Sequence, residues 1–163
     1  MASLASVTML ISHTMYLTYA VPAMAGLFVM ISLIEISPKW AFATYLASAF
    51  PIFLIAENES KLLYIMFFGY YPILKALAER VRKPVIEWLI KLIVFNAAVI
   101  VTYTLIAGLF GISLEDLGQL GKYGEWIFLA VGNVVFVLYD IAVSRMSMFY
   151  FSIIRPKIKF LRN

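Results

Sequence analysis

The stretch KLLYIMFFGYYPILKALAERVRKPVIEWLIK, residues 61–91, decides the fold. Two apolar runs in it flank a short charged turn, ERVRK at residues 79–83. The first run together with the start of this turn forms a segment of residues 61–81, and the second run continues from residue 85 to about residue 110. Each is long enough to cross a hydrocarbon core of ~30 Å as a helix, which takes about 20 residues. The stretch therefore predicts two membrane helices joined at a basic turn.

The composition of the whole chain agrees with this interpretation. Of its 163 residues, 64% are hydrophobic and only 13% are charged, and the mean hydropathy is +0.95. Soluble domains carry about 25% charged residues. Apolar runs recur along the full length, so residues 1–163 are expected to form a single all-α membrane domain, a bundle of six transmembrane helices.

Prolines and charged turns set the limits of the six segments. Pro22 separates the first two, and bends are expected at Pro51 and at residues 69–72, because proline removes a helical hydrogen bond. The first 38 residues contain no Lys or Arg, which leaves five spans as an alternative. The predicted segments are residues 2–19, 23–36, 38–56, 61–81, 85–110 and a last helix from about residue 123 into the basic tail.

Charge is divided unevenly between the two sides of this bundle. Of thirteen Lys and Arg residues, all but Lys61 and Lys122 fall on the side that holds both termini. Positively charged short loops stay in the cytoplasm. The sequence therefore predicts a multi-pass protein of the cell membrane with cytoplasmic N- and C-termini and with acidic turns at Glu57 and Glu115 outside. The cations adjoin apolar spans, which favours membrane lipids over nucleic acid as their partners.

Polar groups inside a membrane are costly, and they mark candidate sites. Asn133 and Asp140 lie on one stripe of the last helix, facing the bundle interior. Asn133 could bind a ligand that enters from outside, or form a hydrogen bond between helices, which we favour. For Asp140, Asn96 and Lys91 a structural polar role is predicted.

The carboxylate of Asp140 is expected to pair with Lys75, Lys91 or Arg145, and this structural clasp is favoured over proton transfer. The single histidine, His13, is expected to be buried and neutral rather than a proton sensor. The chain has no Cys, no repeated metal-ligand spacing and no catalytic motif. No enzyme activity, metal or cofactor is therefore expected.

Aromatic side chains in the outer half could line a pocket for a small molecule. Most of them are expected to be interfacial anchors or core residues, as in any membrane bundle. Together with Asn133, the candidate ligand-binding residues are Tyr103, Trp126, Tyr64 and Tyr16.

Two pairs of small residues permit close approach of a second helix. Ala43 and Ala47 form one pair in the third segment, and Ala2 and Ser6 form the other in the first. Both pairs are candidates for docking to a partner, and packing within the bundle is an equal alternative.

The chain resembles the substrate-binding S components of energy-coupling factor (ECF) transporters. The resemblance lies in the short chain, the six segments, the cytoplasmic position of both termini, the early hairpin and the acidic outer turns. The position of the motif Ala43-Thr-Tyr-Leu-Ala47 departs from the pattern of the family. In that family the Ala-x-x-x-Ala motif is associated with the first helix, whereas here it lies in the third. The stretch Phe-Phe-Gly-Tyr-Tyr-Pro-Ile-Leu-Lys at residues 67–75 also resembles small membrane proteins of Gram-positive bacteria without an assigned activity.

The resemblance implies a membrane subunit that captures a vitamin-like solute and docks to a transmembrane coupling subunit bearing two ATPases. The alternative is a structural or assembly protein that acts through helix–helix contacts with another membrane protein. An intramembrane enzyme is the weakest hypothesis, since Asp140, Glu35 and His13 are far apart along the chain.

Overall fold

A computed structural model describes residues 1–11, 17–110 and 124–157 and, within them, all side chains except those of residues 103, 105–110, 124–126 and 128. All regular structure in these ranges is helical. The chain divides into two compact units, Met1–Ile112 and Ser113–Asn163.

The first unit contains six of the helices in the described ranges. Two of them are extended by short helical segments of another type: a π-helix at Tyr64–Phe68 follows α4, and a 3₁₀ turn at Glu79–Val81 follows α5. The helices are α1 (Ala2–Leu10), α2 (Ala20–Glu35), α3 (Pro38–Ile55), α4 (Asn58–Leu63), α5 (Tyr71–Ala78) and α6 (Pro84–Phe110).

Three helices in the described ranges are long and apolar enough to cross a membrane: Asn58–Val81, Pro84–Thr102 and Leu129–Lys157. They correspond to the predicted segments four, five and six. Helix α2 is apolar but shorter, and α1 has nine residues. The membrane character is thus supported by three helices, while the count of six spans and the side on which the termini lie stay predictions.

Helices α1, α2 and α3 pack against one another around a small apolar core. Each contributes small or compact side chains to it, and the π-helix adds one large ring, Tyr64, which is fully buried. The other members of this core are Ala5, Met9, Val21, Ala25, Ile52 and Ala56.

Proline positions account for several helix ends. Pro38 is the first residue of α3 and Pro84 the first of α6, where a missing N–H costs nothing. Helix α2 was predicted to begin at residue 23, after Pro22, but it begins at Ala20. Pro22 lies in its first turn, where a proline is tolerated. Helix α3 continues through Pro51 to Ile55.

The second unit consists, in its described part, of helix α7 (Gly124–Phe149), which continues through a π-helix at Tyr150–Ile154. The predicted loop at residues 112–122 lies outside the described residues. The predicted extension of this helix past Arg145 is confirmed.

Candidate functional site

Four charged side chains meet where α5 and α6 approach each other near the basic turn. Lys75 Nζ lies 3.0 Å from Glu79 Oε1, and Lys91 Nζ lies 2.6 Å from Glu87 Oε1. Each pair is spaced i,i+4 on its own helix or turn, so its members share one face. Glu79 also lies 3.7 Å from Lys91 Nζ and so connects the two helices. We call these four residues the ionic layer.

The two lysines of the ionic layer are enclosed, whereas its carboxylates are not. The Lys91 side chain is 1% exposed and that of Lys75 8%, against 21% for Glu87 and 47% for Glu79. An isolated ammonium in this setting would be strongly destabilising, and the two carboxylates stabilise the charged lysines there. The Trp88 ring, 5.3 Å from Lys91 Nζ, adds a cation–π contact.

An aromatic layer adjoins the ionic layer one helical turn farther from the basic turn. Phe67 packs on Tyr71 with ring centroids 5.1 Å apart and on Phe95 at 5.2 Å. Tyr71 precedes Lys75 by four residues, and Phe95 follows Lys91 by four. Tyr71 and Phe95 are buried, so this side of the ionic layer is apolar, and a low dielectric strengthens the neighbouring ion pairs.

Hydrogen bonding in the π-helix is completed by a neighbouring helix. The N–H of Gly69 donates to the carbonyl of Tyr64 at 2.8 Å, five residues back instead of four. The carbonyl of Ile65 thereby loses its α-helical donor, and it accepts a hydrogen bond from the Tyr45 hydroxyl of α3 at 2.8 Å. A side chain of α3 therefore satisfies a backbone group that the irregular turn leaves open.

Close packing joins α3 to the same turn. A Cβ added to Gly69 would lie 2.7 Å from two carbons of the Tyr45 ring and 2.9 Å from the Tyr64 carbonyl oxygen. The Tyr64 hydroxyl lies 2.6 Å from Ser48 Oγ, a second polar contact with α3. Gly69 is therefore needed for the close approach of Tyr45. From the sequence only a bend was predicted at residues 69–72, and this packing role was not.

Of the five predicted ligand-binding residues, only Tyr64 and Asn133 have described side chains, and these two belong to different compact units. Tyr64 is fully buried, and its hydroxyl lies 2.6 Å from Ser48 Oγ. Asn133 Nδ2 donates to the carbonyl of Leu129 on its own helix at 2.8 Å. The side chains of Tyr103 and Trp126, and the whole of Tyr16, lie outside the described residues.

The two predicted docking pairs differ in accessibility. Ala43 and Ala47 are both exposed on α3, whereas Ala2 and Ser6 are half-buried. Ser6 Oγ donates to the Ala2 carbonyl, so this pair has an internal contact of its own.

The remaining polar predictions fall into three cases. Lys91 is an ionic-layer residue, as its predicted i,i+4 spacing with Glu87 indicates. Asn96 Nδ2 donates to the carbonyl one turn back, that of Leu92, at 2.8 Å. Asp140 is buried, with 4% of its surface exposed, and His13 lies outside the described residues.

Glu79 was not predicted to be a shared partner of both lysines. The signal was present as two ladders of spacing four on either side of the turn, 71/75/79 and 87/91/95. Within the described ranges, no group of three or more His, Cys, Asp or Glu side chains could hold a metal ion. The ionic layer, with two charges of each sign, holds α5 and α6 together.

No protein-family model matches the chain, and comparison with curated proteins and with solved structures finds no significant match either.

Proposed function

We propose that this chain is a non-enzymatic membrane subunit that docks onto a second membrane protein through one face of α3. The observation behind the proposal is the exposure of a regular seam on that helix. Residues 40, 43, 47, 50 and 54 follow the alternating spacing of three and four that places side chains along one line of a helix. We call Trp40, Ala43, Ala47, Phe50 and Leu54 the α3 seam.

The seam combines large ends with a small centre. Trp40 is 62% exposed, Phe50 72% and Leu54 66%, and the two alanines between them are exposed as well. Small residues in the middle of a membrane helix permit close backbone approach, and large neighbours supply contact area for a crossing helix. Lipid acyl chains are disordered and adapt to any surface, so a shape with a small centre does not favour their binding over that at other surfaces.

The opposite face of α3 is already occupied within the first unit. Ala41, Ser48 and Ile52 are buried, and Ser32 Oγ of α2 accepts a hydrogen bond from Thr44 Oγ1 at 3.1 Å. Tyr45 reaches the π-helix from this helix too. Packing within the unit thus uses one side of α3 and leaves the seam available to a transmembrane helix of a partner.

Changing both Ala43 and Ala47 to Leu should fill the seam centre and block docking. The recovered complex should fall at least about tenfold, while the melting temperature of the isolated subunit changes little, because exposed substitutions cost at most about 0.5 kcal/mol. The measurement is photocrosslinking from position 47 in native membranes, with the adduct identified by mass spectrometry. Ala97, an exposed alanine on α6, provides the matched position for both the crosslinker and the Leu substitution.

A discrete adduct with one other membrane protein, formed from position 47 and not from position 97, supports the proposal. Adducts with lipid alone, or with a second copy of the chain, would contradict it. If the chain is a transporter subunit, the same experiment should give a more specific result. The crosslinked partner should then be a coupling subunit that co-purifies with two ATPases.

Solute capture remains a prediction from the resemblance, with its own test. A purified subunit screened against vitamins and related micronutrients should show a rise in melting temperature with one of them. Docking without any such ligand would favour the assembly alternative.

The proposed orientation places the turn between α5 and α6 in the cytoplasm, with both termini, in a bundle of six spans. Because the chain has no cysteine, single cysteines can be labelled without background. Val81 at this turn and Asn58 at the other end of the same span are both exposed. In intact cells, a membrane-impermeant maleimide should label Asn58→Cys and should reach Val81→Cys only after permeabilisation. The reverse pattern would overturn the orientation.

A further inference from the structure

A compact group of cations lies at the turn between two of the helices that can cross a membrane. Arg80, Arg82 and Lys83 are all exposed, and Asn58–Val81 ends here as Pro84–Thr102 begins. A turn between two membrane-crossing helices must lie at a membrane surface. We call residues 80–83 the basic apex.

The carboxylate nearest in sequence to the basic apex is engaged elsewhere. Glu79 Oε1 lies 3.0 Å from Lys75 Nζ and 3.7 Å from Lys91 Nζ, both within the ionic layer. In the described part of the chain no carboxylate is paired with Arg80, Arg82 or Lys83. The apex therefore carries a net positive charge that the adjoining ionic layer does not neutralise.

Exposed apolar side chains lie on both sides of these cations. Leu77, which is 47% exposed, precedes the cations, and Val81, which is 40% exposed, lies between the two arginines. Val85 and Ile86 follow the cations and are 71% and 40% exposed. A soluble anion would use the cations alone. A phospholipid with an anionic headgroup would use both parts, its phosphate on the cations and its acyl chains on the apolar side chains.

We propose that the basic apex binds the headgroup of an anionic phospholipid. Guanidinium groups match the geometry of phosphate oxygens and bind them through paired hydrogen bonds, and lysine adds a point charge. Each cation near a membrane surface favours anionic over neutral lipid by roughly fivefold, which follows from about 1 kcal/mol per charge. Three adjacent cations should therefore retain anionic lipid through purification.

The test uses the full-length protein in nanodiscs of equal parts phosphatidylglycerol and phosphatidylcholine, followed by native mass spectrometry of the lipids that remain bound after release into detergent. The apex variant combines Arg80→Gln, Arg82→Gly and Lys83→Gln. Glycine is chosen at position 82 because Arg82 has a φ of 54°, which glycine adopts without strain. The matched control removes three other exposed cations, with Lys39→Gln, Arg145→Gln and Lys157→Gln.

The wild-type protein should retain phosphatidylglycerol in preference to phosphatidylcholine. In the apex variant the ratio of retained phosphatidylglycerol to phosphatidylcholine should fall at least about tenfold. In the control variant it should fall less than about twofold. Equal loss in both variants would overturn the proposal, because net charge alone would then explain retention. In a second measurement, inorganic phosphate is added at about 20-fold excess over lipid. Displacement of the lipid by phosphate would also overturn the proposal, because the apex would then be a site for a free anion.

If the triple variant fails to fold, Arg82→Gly alone decides the question. It removes one charge at a backbone position that favours glycine and should lower the preference roughly fivefold. An unchanged preference in this variant would also overturn the proposal.

Discussion

Gly69→Ala should destabilise the protein by about 2–3 kcal/mol, the upper part of the range for overpacking a well-packed site. The added methyl group would lie 2.7 Å from the Tyr45 ring and 2.9 Å from the Tyr64 carbonyl oxygen. Neither can yield easily, because the Tyr45 hydroxyl is bonded to the Ile65 carbonyl and the other contact is backbone. Thermal unfolding in detergent should show a melting temperature lower by about 4–10 °C.

A double-mutant cycle assigns the cause of this loss. In a Tyr45→Ala background the ring is absent, so Gly69→Ala should cost markedly less than in the wild type. Tyr45→Phe keeps the ring and removes only the hydroxyl, and it should cost about 1–2 kcal/mol by leaving the Ile65 carbonyl without its donor. An equal cost of Gly69→Ala in both backgrounds would show that the ring contact is not responsible.

Lys91→Met should be the second large effect, a loss of about 2–3 kcal/mol. Methionine has a similar length, so packing is largely kept while the ammonium is removed. Breaking a fully buried ion pair typically costs about 3–5 kcal/mol. The expected value is smaller here because Glu87 retains 21% exposure and can be hydrated in part. The same unfolding measurement applies.

The second substitution Glu87→Gln separates charge from shape in the ionic layer. With the carboxylate neutralised, Lys91→Met should recover more than half of its loss, since position 87 then no longer carries an unpaired charge. Lys39→Met is the matched control at an exposed position and should change stability by less than about 0.5 kcal/mol. A loss in the Lys91 variant no larger than in this control would contradict the role given to the ionic layer.

The limits of the long helices could be predicted because local chemistry sets them. Pro38 suits the first turn of a helix, and the charged residues around Arg82 end one. The pair Glu87–Lys91 followed from spacing along one helix. Each of these features needs only residues within one or two turns of each other, which is the range that a single sequence specifies.

Features that join separate segments could not be obtained in this way. The bond from Glu79 to Lys91 depends on how α5 and α6 are placed after the turn. Likewise, Tyr64 was a candidate pocket residue because tyrosine combines an apolar ring with a polar tip, whereas its burial against Ser48 is decided by the packing of α3. Ala43 and Ala47 were recognised as a small pair, but their exposure is a property of the folded unit.

The π-helix at Tyr64–Phe68 has a consequence for the order in which the protein is assembled during membrane insertion. A segment that enters the bilayer alone has the local option of a regular α-helix, in which the Gly69 N–H would serve the Ile65 carbonyl. The wider turn leaves that carbonyl to a hydroxyl from α3. The π-helical form is therefore stabilised once α3, which precedes it in the chain, has packed beside it, so this turn depends on an order of packing as well as on its own sequence.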